Sequence, residues 1–181
     1  ADASAALRAW RAAGGGIAGS LPAAQEWGLV VDGIFGIGLE REVTGRHAEW
    51  IAAVNRLHSP VLALDVPSGL QSDTGRVMGS AIRASHTVTF IALKPGLLTL
   101  DGPDHCGHIH VSALGLDAQK IRPAQGSLIG GEVLDGVLAR RARNSHKGDY
   151  GSVGILGGDH GMVGAALLAG RAALKMGCGR V

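Results

Sequence analysis

The alternation of apolar and polar residues predicts strands and helices in turn along the first half of the chain. Two short apolar runs, Gly28–Asp32 and Pro60–Asp65, each end in an acid and are typical of buried strands. Between them, apolar residues recur at helical spacing, which predicts an amphipathic helix over about 46–57. Strand, helix and strand in this order form a βαβ unit, whose two strands lie parallel.

Apolar runs and helical spacing predict further elements along the chain. A polar stretch with a proline and a glycine predicts a linker over 118–127, between one domain over 1–117 and a second over 128–181. A helix is predicted over 1–13, with Ala6, Leu7 and Trp10 on one face and a glycine C-cap at 14–16. The other predicted elements are strands at His86–Ile91, Gly107–Val111 and Ser152–Leu156 and a helix over 164–176.

Composition narrows the class of partner. The net charge is +2, and no run of lysine and arginine indicates a nucleic-acid or membrane surface, so the sequence favours a small-molecule ligand. The two cysteines form no CxxC pattern, which is typical of a reducing compartment. No apolar stretch reaches the roughly 18 residues of a transmembrane helix. We therefore predict a cytoplasmic protein.

Two acids lie where α/β proteins bind ligands. Asp32 and Asp65 end neighbouring predicted strands, and open parallel sheets bind ligands beyond their carboxyl ends. Parallel strands are about 4.8 Å apart, so both carboxylates can face one small site. For each acid alone, a cap of the following turn or helix is the favoured explanation. The glycine-containing loops after both acids favour a site.

The first of these loops reads Asp-Gly-Ile-Phe-Gly-Ile-Gly from Asp32. Gly36 and Gly38 allow backbone N–H groups to approach an anion such as a phosphate. The pattern is neither GxGxxG nor a Walker P-loop, and a plain turn explains it as well.

The second loop reads Asp-Val-Pro-Ser-Gly-Leu from Asp65. Pro67 stiffens the turn, Ser68 supplies a hydroxyl, and Gly69 permits an unusual backbone angle. An aspartate close to a serine suits a polar ligand or a hard cation. No base is placed by the sequence to make Ser68 a nucleophile.

Five segments carry a resemblance to known families. VDGIFGIG at 31–38, ALDVPSGL at 63–70 and TVTFIALKPG at 87–96 resemble, in this order, the NAD(P)H-hydrate epimerase domain. HKGDYG at 146–151 and GGDHGMVGAA at 157–166 resemble the opening of the ADP-dependent NAD(P)H-hydrate dehydratase domain. The resemblance implies a Rossmann-like three-layer α/β/α sandwich followed by the start of a ribokinase-like α/β domain. It also implies an enzyme that repairs the hydrated cofactors NADHX and NADPHX.

The resemblance implies roles for individual residues. Asp32 and Ser68 would be ligands of a potassium ion, since hard cations take oxygen ligands. Asp65 would bind the substrate at the nicotinamide ring, and we expect it to be the acid/base catalyst. Ala165, in the turn leading into the last helix, is expected to contact the substrate in the second unit. The loop expected to contact the hydrated dinucleotide comprises Gly36, Ile37, Gly38, Leu39, Glu40, Arg41 and Glu42.

The same resemblance sets expectations for the whole protein. Dehydration would require ADP and magnesium. Whether the protein forms a homo-oligomer stays open. The chain starts ADASAALRAW without an initiator Met and ends at GCGRV, which we interpret as a piece cut from a longer protein. The Asn-Asn-Gly-Gly-Asp-type loop of the epimerase family would lie upstream, and the nucleotide-binding loops of the dehydratase downstream. We therefore expect these 181 residues by themselves to lack full activity.

Two other functions stay open at this point. Epimerase-like domains also serve as non-catalytic binding modules, in apolipoprotein A-I-binding proteins and in an mRNA-decapping enhancer. The dehydratase-like segment argues against that function. A ribokinase-like small-molecule kinase would leave the Asp-Val-Pro-Ser-Gly segment without a role.

Two further groups of residues have more than one interpretation. His105, His108 and His110 are metal-type ligands close in sequence. We favour a half-exposed strand, because His108 and His110 alternate onto one strand face. Lys94 could contact a phosphate, but a solvated strand end is the more common fate of such a lysine.

Overall fold

The computed structural model describes residues 2–21, 27–124, 126–135 and 140–181. The chain forms two compact units, Ala1–Gln125 and Gly126–Val181. The division lies within the predicted linker, and the domain limits of 1–117 and 128–181 remain predictions.

The first unit is built on a four-stranded sheet in which every pair of neighbouring strands is parallel and the strands follow chain order. The predicted strands of this unit are confirmed to within two residues at each end, and so is the α/β, Rossmann-like class. Its strands are β1 (Val30–Asp32), β2 (Val61–Leu64), β3 (His86–Phe90) and β4 (His108–Ser112). Its helices are α1 (Asp2–Ala12), α2 (Gly45–Val54), α3 (Gly102–Cys106) and α4 (Ala118–Ile121), with a 3₁₀ turn at Pro95–Leu97. Helix α4 forms inside the stretch that the sequence predicts as a linker.

Helix α2 connects β1 with β2 and covers part of the sheet. Its two buried residues, Ile51 and Val54, pack in one apolar cluster with Val61 of β2. The pairing of β1 with β2 places Asp32 opposite Ala63. The βαβ unit thereby brings the loops that follow β1 and β2 to the same edge of the sheet.

Helix α1 agrees with the predicted helix to within one residue at each end and ends as predicted, but its apolar face is not packed. Gly14 has a φ of 82°, and the N–H of Gly15 bonds to the carbonyl of Trp10 at 2.9 Å, which is the glycine C-cap that the sequence predicts. The face formed by Ala6, Leu7 and Trp10 is exposed, and no residue of the helix is buried. Helical periodicity identifies an apolar face, but not the surface that would cover it.

The second unit has less regular structure than the sequence predicts. It contains 3₁₀ turns at Gly131–Leu134 and Lys147–Tyr150 and the helix α5 (Val163–Lys175), which confirms the predicted helix over 164–176. The predicted strand Ser152–Leu156 is wrong, because within the described part of the chain only Ser152 pairs, in a parallel bridge with Arg180. A strand needs a neighbour along its whole length to satisfy its backbone groups. Among the described residues, this segment has one at a single position, and the ribokinase-like architecture remains a prediction.

The longest helix described is α5, with 13 residues. Within the described part of the chain, none of the helices combines the length and the apolar character needed to cross a membrane.

Candidate functional site

Asp32 and Ser68 form a buried hydrogen-bonded pair at the carboxyl end of β1. Ser68 donates its backbone N–H to Asp32 Oδ2 at 2.8 Å and its hydroxyl to Oδ1 at 2.6 Å. The two residues are 4% and 0% exposed. The N–H of Phe35, in the loop after β1, donates to Ser68 Oγ at 2.9 Å. The two loops singled out by the sequence therefore meet in one polar cluster.

The oxygen atoms of this cluster fit a hard monovalent cation. They belong to the Asp32 carboxylate, the Ser68 hydroxyl and the Phe35 carbonyl, which lies 3.3 Å from Ser68 Oγ. Within the described ranges, Asp32 has no lysine, arginine or histidine partner, and a buried carboxylate is costly without a positive charge nearby. The same residues contain no group of three or more histidine, cysteine or acidic side chains suited to a metal. The donor atoms of this cluster are oxygens, the ligand type that hard cations prefer.

Asp65 lies in a strained turn directly after β2. Its φ is 68°, in the left-handed region that residues other than glycine occupy rarely. The N–H of Val66 bonds back to the carbonyl of Leu64 at 2.9 Å. A three-residue turn with positive φ at its centre is the rare and strained γ-turn. Residues held in such conformations cluster at functional sites.

One oxygen of the Asp65 carboxylate is held by three groups. Oδ1 accepts hydrogen bonds from Lys94 Nζ at 2.5 Å, from the Phe90 N–H at 3.2 Å and from Thr89 Oγ1 at 3.4 Å. The side chains of Lys94 and Asp65 are 17% and 20% exposed.

Lys94 is therefore not a solvated strand end, so the favoured sequence interpretation of it is wrong, whereas the phosphate contact stays a prediction. The physical reason is that its ammonium group turns inward to the end of the sheet, where it donates hydrogen bonds to a carboxylate oxygen and to two further oxygens. Residues 29 positions apart in sequence give no periodic signal of such a pairing.

The loop 36–42 passes beside the same carboxylate. A Cβ atom on Gly36 would lie 3.7 Å from Asp65 Oδ2, and one on Gly38 would meet no atom within 4 Å. Neither glycine has a positive φ, so the backbone conformation and packing of the chain do not require glycine here. Because glycine has no side chain, the backbone at both positions instead stays accessible to a ligand.

The other members of this loop differ in what they present. The side chain of Leu39 is buried in the core, so only its backbone can reach a ligand. Glu42 forms an ion pair with Arg76 at 3.5 Å. The exposed residues of the loop are Ile37, Gly38, Glu40, Arg41 and Glu42.

Ala165 belongs to the second unit. It is exposed in the first turn of α5, whereas the sequence places it in the turn before the helix, because α5 begins two residues earlier, at Val163. In the same unit His146 caps a 3₁₀ turn. Its ring accepts the N–H of Gly148, and its own N–H donates to the carboxylate of Asp149.

The three histidines close in sequence do not converge. His105 is buried in α3, where its Nδ1 lies 2.8 Å from the carbonyl oxygen of Ile82. His108 and His110 are exposed on β4, and His110 Nε2 lies 3.2 Å from Nδ1 of His86 on β3. These positions support the exposed strand favoured from the sequence.

A mainly apolar cavity of about 390 Å³ adjoins β1. Trp27, Val30 and Trp50 line it, and Asp32 is the charged residue among the lining residues that the structure describes. The sequence does not indicate this cavity, because segments distant along the chain form its walls. It adds apolar surface next to the polar cluster of Asp32 and Ser68.

Comparisons with known proteins relate this geometry to a family. Residues 1–96 match the family described as YjeF-related protein N-terminus. The chain is also similar to proteins named bifunctional NAD(P)H-hydrate repair enzyme. That of Coxiella burnetii is 44% identical over 155 residues, which are 84% of this chain and 32% of the relative. That of Escherichia coli is 41% identical over 182 residues (99% and 35%), and that of Leishmania infantum is 38% identical over 192 residues (99% and 34%).

The chain spans about a third of the length of these relatives. The family match covers more than half of the 181 residues, and it includes β1 to β3 with Asp32, Asp65, Ser68 and Lys94. Three of the four strands and the loops that follow β1 and β2 thus lie in the matched region, and the chain belongs to the family of YjeF-related protein N-terminal domains.

Proposed function

We propose that this chain acts in the repair of hydrated nicotinamide cofactors, as part of an enzyme that interconverts R- and S-NAD(P)HX. The names of the relatives, NAD(P)H-hydrate repair enzymes, support this substrate class. The observation that carries the proposal is the setting of Asp65. This largely buried carboxylate lies in a strained turn beside an open glycine loop, at the sheet edge where α/β proteins bind ligands.

Asp65 is the proposed acid/base group. Its Oδ1 is engaged by Lys94, whereas Oδ2 lies toward Gly36 in the loop proposed to hold the dinucleotide. Epimerisation requires protons to move as the hydroxyl at C6 of the nicotinamide ring leaves and returns on the other face. A carboxyl group within hydrogen-bond reach of that hydroxyl can transfer them.

Asp32 and Ser68 are the proposed protein ligands of a potassium ion. Their oxygens are buried and lie within hydrogen-bond distance of each other. When bound, the ion would supply a fixed positive charge for oxygen atoms of the substrate. The backbone of Gly36 and Gly38, next to this cluster, is proposed to contact the dinucleotide.

For the second unit we propose a part in ADP- and magnesium-dependent dehydration of S-NAD(P)HX. The word bifunctional in the names of the relatives supports a second activity, and those of E. coli and L. infantum match 99% of this chain. Ala165 remains the proposed substrate contact there, exposed in the first turn of α5.

The epimerase proposal is tested with R-NADHX and the full-length protein, by chromatographic separation of the two epimers over time. Asp65→Asn keeps the size of the side chain but removes its ionisable group, so the rate should fall by about 10²–10⁴-fold. Asp101→Asn is the matched control, because the Asp101 carboxylate accepts a hydrogen bond from the N–H of Val77 at 3.2 Å, outside the proposed site.

The control should epimerise at the wild-type rate. An Asp65→Asn enzyme within a few-fold of wild type would show that Asp65 is not the acid/base group. A wild-type protein that binds NADHX without converting it would instead be a non-catalytic binding module.

A further inference from the structure

We propose that Lys94 is the positioning residue of this site: it holds Oδ1 of Asp65 and thereby leaves Oδ2 as the oxygen that exchanges protons with the substrate. The inference rests on the proposed epimerase function and deepens it, because it assigns separate roles to the two oxygens of one carboxylate.

The hydrogen bonds of Lys94 show that it acts through Asp65 and not on a ligand. A lysine ammonium has three N–H donors and no acceptor. Lys94 Nζ lies 2.5 Å from Asp65 Oδ1, 2.7 Å from the carbonyl oxygen of Phe90 and 2.9 Å from Thr89 Oγ1. Three acceptors match three donors, so no donor is left for a phosphate or for a reacting hydroxyl.

The two oxygens of Asp65 have different surroundings. Oδ1 receives the hydrogen bonds of Lys94, Phe90 and Thr89, which engage its lone pairs. Oδ2 lies toward Gly36, where a Cβ atom would be 3.7 Å away, at the open glycine loop. The ion pair therefore fixes the rotation of the carboxylate, with one oxygen toward the protein and the other toward the proposed substrate loop.

The backbone supplies an independent observation. The neighbouring strand β3 also ends in a γ-turn, in which Ile91 has a φ of 67° and the N–H of Ala92 bonds to the carbonyl of Phe90 at 2.7 Å. Positive φ is a genuine outlier for a β-branched residue and costs free energy. The turn reverses the chain so that Lys94 returns to the Phe90 carbonyl and to Asp65. Asp65 thus lies in a strained turn at the end of β2, and Lys94 follows a strained turn at the end of the adjacent strand β3.

The test compares kinetic constants of variants of the full-length protein on R-NADHX. Lys94→Met keeps the length of the side chain but removes its charge and donors. We expect kcat to fall by about 10²-fold with KM changed by less than about threefold, because the catalytic group is misplaced while the substrate contacts remain. Lys94→Arg restores a cation with N–H donors and should recover most of the loss. Lys120→Met is the matched control, since Lys120 forms an exposed ion pair with Asp117 at 3.2 Å, and it should have wild-type constants.

The double variant Asp65→Asn/Lys94→Met separates this inference from the proposed function. If Lys94 acts through Asp65, the double variant is no slower than Asp65→Asn alone, whereas additive losses would overturn the positioning role. If the Asp65→Asn enzyme loses activity but the Lys94→Met enzyme keeps the wild-type kcat, only the inference about Lys94 is overturned. If the Asp65→Asn enzyme keeps the wild-type rate, the proposed function is overturned.

Melting temperatures show whether each variant folds. If Lys94→Met does not fold, Thr89→Val takes its place, because the Thr89 hydroxyl contacts both Lys94 and Asp65. That variant must then lower kcat and leave KM unchanged, and wild-type kcat in it would overturn the inference.

Discussion

Ser68 donates both its backbone N–H and its hydroxyl to the carboxylate of Asp32, at 2.8 and 2.6 Å. Each oxygen of the carboxylate receives one of the two bonds, so the pair locks together the loops that follow two neighbouring parallel strands. The same oxygens are the proposed ligands of the cation. We therefore expect stability and the proposed cation binding to be coupled at this pair.

Removal of the Ser68 hydroxyl should destabilise the protein. Ser68→Ala leaves the buried Asp32 carboxylate and the Phe35 N–H each short of one hydrogen bond. The free energy of unfolding should fall by about 1–3 kcal/mol, measured by urea denaturation. Ser4→Ala, at an exposed position of α1, is the control and should change it by less than about 0.5 kcal/mol. Equal effects of the two substitutions would contradict a structural role for the Ser68 hydroxyl.

Potassium should raise the melting temperature through Asp32. A ligand that binds only the folded state stabilises it, so replacing tetramethylammonium chloride by potassium chloride at constant ionic strength should stabilise the wild type. Asp32→Asn removes the negative charge that a cation requires and should abolish this response. Asp101→Asn, with its carboxylate bonded to Val77, should keep it. A full potassium response in Asp32→Asn would exclude the proposed cation site.

Two glycine-to-alanine substitutions should differ in how much they lower the stability of the protein. Gly69 has a φ of 96°, and a Cβ atom there would lie 1.9 Å from the carbonyl oxygen of Ser80. Gly69→Ala should therefore lower the free energy of unfolding by more than about 2 kcal/mol. Gly38→Ala meets no atom within 4 Å and should change it by less than about 1 kcal/mol. Chemical denaturation of both variants measures the difference, and similar values would show that Gly69 is not constrained.

Cys106 should make stability depend on alkaline pH. Burial raises the pKa of its thiol from 9.0 to about 11, and a hydrogen bond with Thr87 offsets part of this rise. The folded thiol holds its proton more tightly than the unfolded one. Its contribution to stability is therefore fully present below about pH 9 and is lost as the pH rises through about 11.

Comparing the pH dependence of unfolding in two cysteine variants and the wild type separates the contribution of Cys106 from that of other groups that titrate at high pH. Between pH 9 and 11 the free energy of unfolding should fall less in Cys106→Ala than in the wild type. Cys178→Ala, which removes the half-buried second cysteine, should show the wild-type decrease. Identical slopes for all three proteins would show that the Cys106 thiol does not titrate as expected.

The sequence by itself determined the four strands of the first unit and the helices α1 and α2, because buried strands leave apolar runs and amphipathic helices leave apolar residues at helical spacing. It also determined that Asp32 and Asp65 end neighbouring strands, since each acid directly follows an apolar run. The turn at Gly69 was predictable as well, because the Pro-Ser-Gly segment is itself typical of a turn. Such properties depend on residues close together in the chain.

Only the tertiary structure decided which groups these acids contact. Asp65 binds Lys94 and Asp32 binds Ser68 because parallel pairing and two strained turns bring distant loops to one sheet edge. Likewise, Ser152–Leu156 has the composition of a strand but, among the residues that the structure describes, pairs only at Ser152. Pairing and contact depend on distances in space between segments far apart in sequence, and the local pattern of apolar and polar residues carries no record of those distances.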